Sequence, residues 1–417
     1  MRLVEQHIIK QNHSFHKECD SICFRAKNLY NYGLYVIRQH FFKTSQMISA
    51  NDLRKQLAIE NQVDFRALPS QVSKEVLRKL EKNFKSFFRA NKAYKKNPSK
   101  FLGKPKLPKY KDKVKGRFVA EYYNPEAVSQ KMIKQDIIKI SKAEITLPRK
   151  GRNIKLVRIV PRYGHYVIEV VYQVEDTPIK ADNKKYAAID IGVNNLMAVT
   201  FNTGNQPILV EGKPLKSINQ YYNKKKAKLM SFLGGKGNSK RIEKLTLKRN
   251  NKVKDYLHKT TTKLVNHIAS LNISKIYIGW NKGIKQDINI GKVNNQKFVS
   301  IPFHQLISML TYKLQQKGIE LITHEESYTS KCSFLDLEPI KKQEAYLGRR
   351  IKRGLFKSSN GTVINADINA SYNIGRKSNP EFLTNDRIEA LSILGLPLVP
   401  VKLDRLSEKT FVYACHI

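Results

Sequence analysis

Asp190 stands in the middle of an apolar run, YAAIDIGVNNLMAV (186–199), where an ionised carboxylate is costly unless a cation or a hydrogen-bond donor answers it. Two more acids, Glu325 and Glu326, close the run GIELITHEE (318–326), and a fourth, Asp367, lies in the first turns of a helix predicted from INADINASYNI (364–374). Carboxylates brought from separate elements to one edge of a mixed sheet can hold two Mg2+ ions, which activate water and stabilise the leaving oxygen of a phosphodiester. Successive strand residues point to opposite faces, so only one of Glu325 and Glu326 is expected to aim at such ions. The sulfur chemistry is weaker. Cys19 and Cys23 lie four apart with His13 and His16 nearby and could form half of a zinc site, but the apolar helical pattern around them reads as core, where thiols pack as small hydrophobes. Four cysteines in all, with Cys332 and Cys415 far from the first two, are too few for a disulfide framework and point to a reducing cytoplasm.

The charge says what these acids would act on. Across 417 residues, 77 Lys+Arg against 34 Asp+Glu leave a net charge of +43. With 41% apolar residues, 20 Tyr and 18 Phe the chain has material for packed cores, so it is not a disordered basic tail. The partner expected of a folded protein this basic is nucleic acid, with an anionic membrane the weaker choice. One helix carries a stripe of Lys79, Lys82, Lys85 and Arg89 opposite its apolar face. It leads into residues 92–117, which hold eleven Lys/Arg and a single acid, Asp112, interleaved with Tyr94, Phe101 and Tyr110 and punctuated by Pro98, Pro105 and Pro108. That composition predicts an extended basic arm, including Lys104, Lys106, Lys109 and Lys111, whose aromatic rings could stack on bases. A further basic cluster is Arg349, Arg350, Lys352 and Arg353. Residues 1–10 alternate apolar and polar without an export-type apolar stretch, and no run of eighteen apolar residues occurs.

The positioning elements follow from periodicity. Phe15, Cys19, Ile22, Cys23, Ala26, Tyr30, Gly33 and Ile37 recur at helical spacing and predict a helix over 13–42; Val76, Leu80, Phe84, Phe87 and Phe88 predict a second. From 119 to 174 short alternating runs read as strands, which with the opening strand suggest a small barrel or sheet into which the helices are inserted. The polar run EDTPIKADNKK (175–185) reads as the boundary. Beyond it come a strand pair around Asp190, a basic helical stretch over 217–270, a strand at 275–279, a helix at 302–317, a strand at 318–326 and the helix bearing Asp367. That order, with acids on the first strand, a later strand end and the closing helix, is the ribonuclease H-like arrangement.

AIDIGVNNLMAV, SYTSKCS and NADINASYNI together resemble the three signatures of the RuvC-like nuclease domain of TnpB proteins, which are encoded by bacterial insertion sequences and related to compact type V CRISPR effectors. The resemblance covers nearly the whole chain. It implies a wedge-like β-barrel domain over 1–180 with a helical insertion at about 12–117, an α/β RuvC-like domain over 181–378 with a zinc-ribbon insertion at about 328–363, and a tail over 379–417. It also implies RNA-guided, Mg2+-dependent DNA cleavage beside a short motif, with the element's own RNA and double-stranded DNA as partners, a monomer with one RNA, and residence at the nucleoid of a bacterial cytoplasm with no membrane association. Two departures stand out. The family's second acid usually ends the central strand, where this chain has Ile276-Tyr-Ile-Gly-Trp-Asn281, so Glu325 or Glu326, one strand along, is expected to supply the missing ligand beside Asp190 and Asp367. The ribbon keeps only Cys332, which cannot make a zinc site, so zinc is not expected and the 331–362 loop should be held by Phe334, Leu337, Leu355 and Phe356. A guide-dependent DNA binder without cleavage and a metal-dependent transposase are the alternative readings.

Overall fold

The computed structural model describes residues 1–149, 153–162, 164–281, 283, 289, 291–383 and 398–405. The chain divides into two compact units, Met1–Glu175 and Asp176–Ile417.

In the first unit β1 (Arg2–Ile9) is followed by α1 (His16–Thr44), α2 (Ala50–Ile59), α3 (Val63–Arg66) and α4 (Ser70–Lys96). The buried stripe of α1 is the one its periodicity predicts, including both cysteines. Gly33 lets α1 and α4 approach, because a methyl group there would meet Leu77 at 3.0 Å and Leu80 at 3.2 Å. The short helices α2 and α3 have weaker sequence signals and start on side-chain caps, Ser49 accepting from the Asp52 amide and Gln62 from that of Phe65. Next come β2 (Ala120–Tyr123), α5 (Gln130–Ile133), β3 (Ile137–Lys139), β4 (Thr146–Pro148), β5 (Asn153–Arg162) and β6 (His165–Gln173). β1 pairs antiparallel with β6 along its whole length, from Arg2 opposite Gln173 to Ile9 opposite Tyr166, and the helices are inserted between β1 and β2, the two edge strands of the sheet. Among the described residues the ladders form an open sheet of order β1-β6-β5-β2 with β3–β4 as a separate pair, where the resemblance implies a closed barrel.

Among the described residues the second unit is built on a six-stranded sheet. Its strands are β7 (Tyr186–Ile191), β8 (Asn195–Phe201), β9 (Ile208–Glu211), β10 (Lys275–Gly279), β11 (Glu320–His324) and, late in the chain, a short strand at Val401–Lys402 that pairs with β9. The order is β11-β10-β7-β8-β9, with β7, β8 and β9 antiparallel neighbours and β10 and β11 parallel to β7. Two helices, α6 (Lys213–Ser231) and α7 (Lys240–Ser270), replace the single helical stretch expected over 217–270. Between them Gly234, Gly235 and Gly237 all adopt positive φ, which breaks the helix at a turn that other residues would enter only with strain. After β10 come α8 (Lys292–Val299) and α9 (Phe303–Gln315). β12 (Arg349–Lys352), β13 (Leu355–Lys357) and β14 (Val363–Asn365) form a small antiparallel sheet, and β14 runs straight into α10 (Ala366–Ser378).

Strand alternation divides the apolar residues between two cores. Ala187, Ile189, Val199, Ile276 and Ile278 pack with α7 and α9, whereas Tyr186, Ala188, Ala198 and Tyr277 pack with Phe334, Phe356 and α10. Asp190 shares the parity of Ala188 and lies opposite Ala198, which puts it on the α10 face. The helix is fixed there by polar bonds, Ser371 Oγ lying 3.0 Å from both Thr200 Oγ1 and the Ala188 carbonyl. No described helix is long and apolar enough to cross a membrane.

Candidate active site

Three elements bring three acids to one end of this sheet. Asp190 comes from the far end of β7 and keeps some exposed surface. Desolvation pushes its carboxyl pKa well above the usual range, the charges of Asp367 and Glu326 push it further, and Arg350 opposes them. Asp367 is placed by its helix start: Asn365 caps α10 by accepting from the amides of Asp367 at 2.9 Å and Ile368 at 3.2 Å. Its carboxylate accepts from Asn195 Nδ2 at 2.7 Å and lies 3.6 Å from Arg350 Nη2.

The two adjacent glutamates part company. Glu326 turns inward: its amide donates to Asn281 Oδ1 at 3.3 Å and its carbonyl accepts from Thr329 Oγ1 at 2.7 Å. Its carboxylate lies over the end of β10, so that a methyl group on Gly279 would sit 2.9 Å from Glu326 Oε2 and 2.5 Å from Ile374 Cδ1. Burial and the neighbouring Glu325 raise its pKa. Glu325 turns outward with 52% of its side chain exposed and is bonded by Lys377 Nζ at 2.5 Å. That bond, with the hydrogen bonds from Ser327, lowers its pKa to about 2.

The donor set is entirely carboxylate oxygen, and in kind it suits a hard divalent cation. The side chains are not drawn into a cage, since among the described residues no three His, Cys, Asp or Glu stand close enough to share one ion. Arg350 and Asn195 answer Asp367 instead.

Residues 169–285 match the family model described as probable transposase, and residues 303–374 match that of the Cas12f1-like TNB domain. Asp190 and Gly279 fall in the first segment; Glu325, Glu326 and Asp367 fall in the second. The chain is TnpB-like. It is 23% identical over 226 residues to the CRISPR-associated endodeoxyribonuclease Cas12f1 of Sulfoacidibacillus thermotolerans, a match covering 51% of this chain and about half of that relative's length, 50%. It is also similar in fold to the protein in a cryo-EM structure of a Cas12f1-sgRNA-target DNA complex, with a TM-score of 0.53 and 16% identity over 88% of this chain and 84% of that one.

In this TnpB-like chain the ribbon segment is held differently from expectation. Cys332 is buried with its Sγ 3.5 Å from the Pro339 carbonyl. Phe334 and Phe356 are buried, and Phe334 stacks on Tyr372 at 4.4 Å. Leu337 is half-buried, but Leu355 is 39% exposed and does not pin the loop as expected, because it leaves the buried face that Phe356 occupies on β13. Polar clamps take over. Buried Glu338 accepts from the amides of Ser333 at 2.7 Å and Leu347 at 3.1 Å, and Asn369 and Asn373 both donate to the Cys332 carbonyl, at 2.8 and 2.7 Å. Cys19 and Cys23 are core thiols: burial lifts Cys19 to about 12, and Cys23 Sγ lies 3.7 Å from the Ile159 carbonyl. His13 Nδ1 accepts from the Phe15 amide, and His16 meets Tyr166 edge-on. Cys415 lies outside the described residues.

The basic residues divide in the same way. On α4, Lys82, Lys85 and Arg89 are exposed, Lys85 with a Glu81 partner at 3.0 Å, whereas Lys79 turns inward to Glu121 at 2.6 Å. Helix α4 persists to Lys96, and the arm beyond it is not a free tether: side chains of α1 bind its carbonyls, Lys27 to Lys113 at 2.6 Å, Asn31 to Lys111 at 2.9 Å and Arg38 to Pro108 at 2.5 Å. Two expected stacking rings, Tyr94 and Phe101, meet each other edge to face, and Tyr110 lies under Arg38. Lys104, Lys106, Lys109 and Lys111 remain exposed, as do Arg349, Lys352 and Arg353, while Arg350 faces Asp367.

Sequence reasoning missed Asn195, Asn281, Gly279 and Lys377. Only Lys377 carried a positional signal, as a cation in the last turn of a helix.

Proposed function

We propose that this chain is an RNA-guided DNA endonuclease of an insertion sequence, hydrolysing a phosphodiester beside a short DNA motif at a site made by Asp190, Glu326 and Asp367. The observation that carries the reading is the convergence of three carboxyls from β7, the end of β11 and the start of α10, close enough that the latter two raise the pKa of the first. The strand order β9-β8-β7-β10-β11, antiparallel for three strands and then parallel, supports a ribonuclease H-like, RuvC-like domain over 181–378, with a metal-free ribbon at about 328–363 and a tail over 379–417. The first unit takes the role of the wedge-like domain with its helical insertion at about 12–117. Asp190, Glu326 and Asp367 would hold Mg2+, and bound divalent cations supply water activation and charge neutralisation at the scissile phosphate. Asn195 orients the Asp367 carboxylate, and Arg350 stands ready for a phosphate oxygen once a cation takes its place beside Asp367. Glu325 is not a ligand in this reading. The exposed lysines of α4 and the arm bind nucleic-acid backbone, which fits a net charge of +43. A guide RNA and target DNA are the partners, by analogy with the Cas12f1 complex to which the fold is similar.

A second reading, guide-dependent binding without cutting, is favoured by one observation: β10 ends in Gly279 and offers no acid of its own. Purification separates the two. The endonuclease copurifies with one defined RNA and cuts DNA in Mg2+ at a sequence that changes when the RNA's 3′ end is changed. The binder copurifies with the RNA and occupies the same DNA uncut, and a transposase instead joins the cut ends to a second DNA.

A further inference from the structure

The two adjacent glutamates are bonded so differently that they cannot share one role. Lys377 Nζ donates to Glu325 Oε2 at 2.5 Å and to the Ser327 carbonyl at 2.9 Å, while Glu325 Oε1 accepts from the Ser327 amide at 2.7 Å. The residues on both sides of Glu326 are therefore tied to one ammonium group, and the residue between them has little freedom to turn. We infer that the Glu325–Lys377 pair is a latch that aims the Glu326 carboxylate across Gly279, making Lys377 and Glu325 positioning residues. The inference rests on the reading of Glu326 as an ion ligand given above.

Helix geometry explains why the latch works from this place. Asp367 lies in the first turn of α10 and Lys377 in its last, so a rigid rod about 15 Å long connects one acid to the anchor of another. Any shift of the helix would carry both together. The absent side chain at Gly279 is the second half of the device, because the space that a Cβ would need is where Glu326 Oε2 and Ile374 Cδ1 lie. The latch itself is half exposed on its acidic side, and exposed ion pairs add little to global stability, so removing it should move the loop without unfolding the domain.

The test uses the full chain freed of nucleic acid, with Mn2+ alone as the probe, and reads affinity by titration calorimetry beside the melting temperature. Lys377→Met should weaken Mn2+ binding by about 10–100-fold, the usual effect of removing a group that orients a metal ligand. Glu325→Gln should weaken it less, because Lys377 still holds the Ser327 carbonyl. The double variant should be no weaker than Lys377→Met alone, since both changes act through one contact. Lys377→Arg should keep most of the affinity, and melting should shift little throughout. If Glu326→Gln loses the ion while Lys377→Met binds as wild type does, the latch is overturned and the ligand reading stands. If Glu326→Gln binds like wild type, or wild type takes up no Mn2+, the ligand reading falls and the latch with it. Should Lys377→Met fail to fold, Glu325→Gln decides by the same readout, because it keeps shape and acceptor while removing the charge.

Discussion

Burial, and after it the charges of Asp367 and Glu326, hold the Asp190 carboxyl well above the usual range in the folded chain, and unfolding releases it. Its folded pKa is raised, so between the unfolded and folded values the native state binds more protons, and the contribution of this group to stability falls as pH rises through that window. The metal-free protein with Asp190→Asn should therefore be more stable than wild type near neutral pH and should lose less stability on going from about pH 4 to 8, as melting in a chelator will show. Equal slopes for the two proteins would mean that neither burial nor the neighbouring acids raise the Asp190 carboxyl. Gly279→Ala tests the other side of the site. The new methyl group falls 2.5 Å from buried Ile374 Cδ1 and 2.9 Å from Glu326 Oε2, so both side chains must move, and cleavage and the melting temperature should both drop; unchanged cleavage would contradict the placement of Glu326 over Gly279. The existence of an acid cluster was legible in the sequence, because a carboxylate amid apolar strand residues demands a partner. Which glutamate faces it was not legible. Both follow the last residue of β11, where the strand's alternation no longer dictates direction, and the lysine that decides lies 52 residues away on another element.

Helix α10 is the element on which the site depends, since it starts with Asp367, ends with Lys377 and, through Asn369 and Asn373, holds the backbone of the ribbon. Its sequence already announced a helix start. The ribbon's fastening was less visible, because apolar residues advertise burial whereas Glu338 reads as one more surface acid until its two amide partners are seen. Glu338→Ala would leave the buried Ser333 amide unpaired, at roughly 1–3 kcal/mol, and should lower the melting temperature and open the 328–347 segment to protease. A protein that melts and resists digestion like wild type would show that the clamp is dispensable. The arm shows a different limit of sequence reading. Its charge was plain, but its attachment to α1 depends on backbone carbonyls, which composition does not reveal. Replacing Lys104, Lys106, Lys109 and Lys111 by Gln should reduce the log–log salt slope of RNA or DNA binding by about one unit per lost phosphate contact. An unchanged slope would leave the arm as a structural strap.

For the whole molecule, the chain order of strands and helices around Asp190 followed from periodicity, because each buried face repeats a pattern over many residues. The choice between barrel and open sheet in the first unit and the α6–α7 turn did not, since closure and breaks depend on a few ladder bonds and three glycines. With Cys332 alone in the ribbon and polar clamps in place of thiolates, the purified protein should carry no stoichiometric zinc and should melt at the same temperature with and without a zinc chelator. One zinc per chain would contradict this. The most direct test of the account is Mg2+-dependent cutting of a matched target by the RNA-loaded protein, compared among wild type, Glu326→Gln and Glu325→Gln. The account predicts cutting by wild type, none by Glu326→Gln with DNA binding retained, and reduced but measurable cutting by Glu325→Gln. Cutting by Glu326→Gln at the wild-type rate would contradict it.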